Sequence, residues 1–138
     1  MSGSAMGAIQ TAIYGRLTGD ATLTALIPGG VKDHVPAGTT FPYIQIGEMT
    51  ETPHRLMGKN GHETVPTIRI WGATLGYKNL QAIYDRVTTL LEGTPLTVAG
   101  HSTVVLWFDD AQAVPDFADD NTELRQIIAH YRVVALDS

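Results

Sequence analysis

The stretch "TVPTIRIWGATLGYKNLQAIYDRVTTLLEGTPL", Thr64 to Leu96, changes its hydrophobic period halfway along, and that change decides the fold. From Thr64 to Trp71 the period is two. Ile68 and Ile70 share one face, while Thr67, Arg69 and Trp71 share the other, with Val65 and Pro66 at the entry. Such alternation predicts a β-strand. From Ala73 to Glu92 the period lengthens: Leu80, Ile83, Tyr84, Val87, Leu90 and Leu91 fall at helical spacings, which predicts an amphipathic helix. Gly93 supplies a left-handed residue at its end, and Pro95 blocks continuation.

Upstream, Ala5, Ile9, Ile13 and Leu17 recur four apart, and Ala8 and Ala12 widen the stripe, so a first helix is predicted from Ala5 to Thr18. Asp20 is placed to N-cap a short second helix from Ala21 to Ile27, which Pro28-Gly29-Gly30 stops. A short strand from Val31 to Val35 and a turn at Pro36-Ala37-Gly38 follow. "FPYIQIGEM" alternates with Tyr43, Gln45 and Gly47 on one side and Ile44, Ile46 and Glu48 on the other. A polar loop then leads to the strand at Thr64. In it Gly58 and Gly61 permit positive φ, and Lys59-Asn60 suits the tip. Downstream, "LTVAGHSTVVLWF" predicts a hairpin that sets Leu96 to Val98 against Ser102 to Phe108 around Gly100. Asp109 to Asn121 is acidic and turn-like. A long last strand, Glu123 to Leu136, puts Arg125, Ile127, Ala129, Tyr131, Val133 and Ala135 on one face.

Strands and helices are segregated along the chain rather than strictly alternating. That predicts an α+β fold in which two main α-helices pack on one face of a mostly antiparallel β-sheet. The length of 138 residues suits a single domain over 1–138. The first five residues, disordered or a cloning remnant, are left out of the fold.

Composition narrows the function. There are no cysteines, which excludes disulfides, thiolate metal sites and a cysteine nucleophile. The net charge is −5 and the nine Lys and Arg are scattered, so the basic footprint of a nucleic-acid binder is missing. No apolar run approaches the roughly 20 residues that span a bilayer, and no basic stretch marks a signal peptide. Charged residues are only 17% of the chain, which fits a surface partly covered by other protein.

Catalytic patterns are lacking. None of the five histidines, His34, His54, His62, His101 and His130, pairs with another at a metal-binding helical spacing. His54, His62 and Glu63 flank the polar loop and are expected to be solvated rather than to ligate a metal. "GRLTGD", Gly15 to Asp20, lacks the strand before and helix after that make a glycine loop grip phosphate, and reads as a helix end. Asp109-Asp110 and Asp119-Asp120 are adjacent carboxylates. Strand neighbours point to opposite faces, so an acidic rim is expected rather than an acid pair. Trp71 and Trp107 fit two readings, members of the sheet–helix core or anchors of an interface. Arg69 and Arg132 are expected on the helix-free face.

Together these segments resemble the small tail-completion or tail-terminator proteins of long-tailed phages and phage-like particles. The resemblance runs over most of the chain. It is carried by the first helix, by "DATLTALIPGGVKDHVP" (Asp20 to Pro36), by the proline-led strand "FPYIQIGEM", by the Thr64 to Leu96 segment, and by the acidic connection before a long final strand. The resemblance implies a structural role with no cofactor and no reaction. Such proteins form hexameric rings on the head-proximal end of the tail tube in the virion tail, assembled in the host cytoplasm. They stop tube polymerisation and offer a surface to the head–tail connector protein. The implied partners are further copies of the chain, the tail-tube protein and the connector, with DNA passing through unbound and no membrane involved.

Within that expectation two further roles are assigned. The polar loop is a flexible docking arm, with Arg55 and Lys59 meeting acidic partners, Leu56 and Met57 supplying apolar contact, and Asn60 near the tip. Asp109, Asp110, Asp116, Asp119 and Asp120 contribute to a lumen or rim that repels DNA. The rival readings are a head-completion or neck ring of the same machine, and a small-molecule-binding α+β module or enzyme.

Overall fold

The period-two segment around Ile68 folds as the central strand of a five-stranded sheet. The computed structural model describes residues 6–34, 36, 38–56, 59–72, 78–93, 96, 98, 100–117 and 123–137. Among these the chain order is α1 (Met6–Thr18), α2 (Ala21–Leu26), β1 (Val31–Lys32), β2 (Tyr43–Leu56), β3 (Lys59–Gly72), α3 (Lys78–Gly93), β4 (His101–Phe117) and β5 (Glu123–Asp137). The strands lie in the order β1-β2-β3-β5-β4. All neighbours are antiparallel except β1 and β2.

Cross-strand register explains the core. Ile44, Ile70 and Ile127 stand side by side in one row, and Ile46, Ile68 and Ala129 in the next. All are buried, as are Tyr131, Val133 and Ala135 further along β5. Over this one face close Ile9, Ile13 and Leu17 of α1, Leu23 of α2, and Leu80, Ile83, Val87 and Leu91 of α3. Each such side chain, fully buried, contributes about 1.5–3 kcal/mol relative to leaving it in water. The α+β reading with helices on one face therefore holds.

Polar clamps hold the helix layer together. Asp20 caps α2 by accepting the Leu23 N–H at 2.8 Å. It also accepts two hydrogen bonds from Arg86 of α3, at 2.9 and 2.7 Å. The Arg86 guanidinium keeps this carboxyl below the usual carboxylate range. Arg16 of α1 donates to the Leu90 carbonyl of α3 at 2.7 Å. In the core, the Tyr131 hydroxyl lies 2.8 Å from Thr88 Oγ1, and burial pushes its pKa well above the ordinary phenol value.

Several local expectations are corrected. The polar loop is not an excursion between strands: β2 and β3 continue as a ladder out to the pair Leu56 and Lys59. Gly61 lies within that ladder, opposite His54 on one side and Leu136 on the other. The acidic stretch after Phe108 is not a turn as far as Phe117, because Asp110 to Phe117 pair with His130 to Glu123 in β5. Leu96 and Val98 are buried but form no strand, so the hairpin around Gly100 is absent among the described residues; β4 pairs with β5 instead. Strand β1 is two residues long. Ala5, Val35, Met57, Gly58, residues 73–77, Pro95, and Asp119 and Asp120 lie outside the described residues, and with them the predicted starts of the first and third helices.

Proline sits at the centre of the sheet for a physical reason. Pro66 lacks an N–H and would leave a gap in a regular central strand. The β2–β3 register shifts beside it, between Ile46 and Met49, and the β3–β5 ladder keeps its register but has no pair at Pro66 itself. The bulge in β2 re-aims Glu48 toward Arg69 on the helix-free face, although strict alternation assigns it to the Ile44 and Ile46 side.

Candidate functional site

The helix-free face of the sheet gathers the chemistry-bearing residues. Arg69 of β3 makes a two-pronged ion pair with Glu48, at 2.6 and 2.8 Å. Arg69 draws the Glu48 carboxyl down to a pKa of about 2. A Cβ on Gly47 would run into the Arg69 guanidinium, so a larger residue there would push that side chain out of its place against Glu48. Arg132 of β5 donates to Glu63 at 2.6 Å and reaches Asp109 at 3.4 and 3.5 Å. His130 Nδ1 lies 2.6 Å from Asp110 Oδ1. Arg69 and Arg132 are thus where the sequence placed them.

A second bulge explains the acids. Register shifts between Phe108 and Asp110, so Asp109 and Asp110 do not alternate across the strand. Both reach basic groups on the helix-free face, contrary to the expectation that they diverge. Both are exposed. Asp116 lies further along β4, opposite Leu124.

The two tryptophans differ. Trp71 is half-buried, stacks on Tyr43 with ring centroids 6.4 Å apart, and donates from Nε1 to Gln45 Oε1 at 3.4 Å. Phe41 extends the stack, 5.3 Å from Tyr43. This aromatic row is on the helix-free face, opposite the main core. Trp107 is on the edge strand β4, 39% exposed, beside Val105 at 50%. Arg55, Leu56, Lys59 and Asn60 sit in the outermost rungs of the β2–β3 hairpin.

No catalytic or metal arrangement emerges among the described residues. No group of three metal-ligating side chains is present among them. His62 and Glu63, adjacent on β3, face opposite ways: His62 lies 3.5 Å from Glu51, and Glu63 takes Arg132. Among the described residues no helix is long and apolar enough to cross a membrane. What the face offers is paired charge, an aromatic row and an exposed edge, which suits contact with protein. The signal that sequence reading missed is the pair of bulges, which put Glu48 and Asp110 on this face.

The family described as "Tail completion protein gp17" matches residues 11–135. A chain in the virion of a native gene transfer agent (GTA) particle is 26% identical, with a TM-score of 0.83; the match covers 98% of this chain and 99% of that one. The gp17 protein of bacteriophage SPP1 is 23% identical with a TM-score of 0.62, covering 91% and 87%, which is a likeness of fold. No curated protein sequence matches.

Proposed function

The chain belongs to the tail completion protein gp17 family, and from that premise we propose that it forms a ring that terminates the tail tube. It is a structural protein of a virion tail and not an enzyme. The ring caps the head-proximal end of the tube, stops its polymerisation, and joins it to the head connector. Hexameric symmetry is the form that the family resemblance implies. The observation that carries this reading is the near end-to-end likeness to a chain of the GTA virion. Support comes from the open sheet edges, since a free edge is an aggregation risk unless a neighbour covers it.

Two surfaces take roles in this proposal. The β2–β3 hairpin, with Arg55, Leu56, Met57, Lys59 and Asn60, is the docking element for the tail tube or the adjacent subunit. A paired hairpin is preorganised, so less ordering entropy is lost on docking than a floppy loop would lose. Asp116, Asp119 and Asp120 line a lumen from which DNA phosphates are repelled, and Asp109 and Asp110 stand at its rim, where one copy meets the next. On the described helix-free face Glu48, Glu63, Asp109 and Asp110 outnumber Arg69 and Arg132, so its charge balance supports that role.

Copurification separates this reading from that of a neck ring. The tagged protein should retain the tail-tube protein and leave the portal-side protein behind. Retention of the portal-side protein alone would overturn it.

A further inference from the structure

Exposed large apolar side chains are few among the described residues: two lie on the sheet, and Met6, Tyr14 and Leu26 lie on helices. On the β4 edge, Val105 and Trp107 project from the same face two residues apart, 50% and 39% exposed. Asp109 and Asp110 border them, so the patch is apolar with an acidic margin. The strand edge itself is partly stoppered, because Glu92 at the end of α3 accepts the Phe108 N–H at 2.6 Å. That contact disfavours strand-to-strand addition at this point and leaves the side chains of Val105 and Trp107 as the available feature.

At the other end, α1 and β1 enclose an open groove of about 420 Å³. Its floor includes Val31 and Ile46, 6% and 3% exposed, and Tyr14 stands on its wall at 49%. The volume lies in the range of about 300–1,000 Å³ that clefts use for bulky apolar groups, so an indole fits. Lys32 is on the rim and has no ion pair among the described residues. Asp33, also on the rim, has its two oxygens engaged by the His34 N–H and Gln10 Nε2.

We infer that Trp107 and Val105 of one copy seat in the α1–β1 groove of the next copy, with Asp109 and Asp110 set against its Lys32. The occupant is a second copy because the shape and charge that the groove lacks are those that the far edge of the same sheet presents. The β1 and β4 edges are the two ends of the sheet order. Each copy therefore offers one donor and one acceptor, which is a heterologous contact able to close into a ring. The inference rests on the ring proposed above and names its joint. Neither half uses the β2–β3 hairpin, which stays free for the tube.

The chain has no cysteine, so introduced cysteines report on this joint alone. The experiment combines light scattering of the wild type with two further measurements. In the first, Trp107→Ala and Lys32→Glu are made separately, with circular dichroism checking that each variant folds. Self-association at least tenfold weaker is expected for both. In the second, the Tyr14→Cys/Trp107→Cys double variant is oxidised, and a ladder of crosslinked species is expected on denaturing gels. Neither single-cysteine variant should crosslink beyond a dimer. Rings that persist in both substitution variants, or a double variant that gives no ladder while rings form, would overturn this joint and leave the ring intact. A wild type that stays monomeric at all concentrations, alone and with tail tubes, would overturn the ring and the joint with it.

Discussion

Glu48 shows how one residue connects local geometry to stability. A bulge exposes it, Gly47 makes room beside it, and Arg69 holds it. Its carboxyl titrates at about 2 in the fold against an ordinary 4.5. A carboxyl whose folded pKa lies below its unfolded one adds stability that is fully present above pH 4.5. That stability is lost as the pH falls toward 2. Glu48 is largely exposed, so water screens the pair and the effect is modest. Thermal melts from pH 6 to pH 2 should therefore show a shallower acid decline in Glu48→Gln than in the wild type, along with a lower melting temperature at neutral pH. An unchanged acid decline would contradict the assignment. Strict alternation hid this pair in the sequence, since "YIQIGEM" places Glu48 with Ile44 and Ile46. A one-residue bulge inverts every later assignment on its strand, and Gly47 inside the strand pattern is the one local mark of it.

At the scale of elements, hydrophobic period was the reliable guide. Ile68 and Ile70, the stripe from Leu80 to Leu91, and the odd-numbered run from Ile127 to Ala135 were all legible, because burial on one face imposes a period. The hairpin extensions were not legible. Residues 51–56 and 59–63 are polar and carry Pro53, which reads as loop. Such a sequence nevertheless pairs when the β3 side is continued by β5. Pro53 suits this place, since β2 is an edge beyond its two-residue pairing with β1 and needs no N–H there. The same error placed a turn at Asp109, where β5 templates a strand. Leu96 and Val98 alternate as strand residues do, yet they join the buried core without strand pairing. For the proposed arm, the double charge reversal Arg55→Glu/Lys59→Glu should leave the melting temperature near that of the wild type, because these rungs lie at the hairpin's end. Capture of tail tubes in a pull-down should fall about tenfold or more if the arm meets acidic partners. Capture at the wild-type level would remove the arm from the account.

The whole molecule is a one-sided sandwich. Among the described residues, helices cover one face of the sheet, the other carries paired charges and an aromatic row, and both outer strands leave edges exposed. A monomer with such edges needs neighbours or protective devices, and the contact of Glu92 with the β4 backbone is a device at one point only. The family and the virion context imply assembly with other tail proteins. The proposed role, ending tube growth, is open to direct measurement. It is tested most directly by measuring tube lengths in electron micrographs of tail-tube protein polymerising with and without it. Added protein should arrest growth, shorten the mean length in proportion to its concentration, and leave a ring on one end of each tube. Tubes that grow to the same lengths with bare ends at every concentration would contradict it.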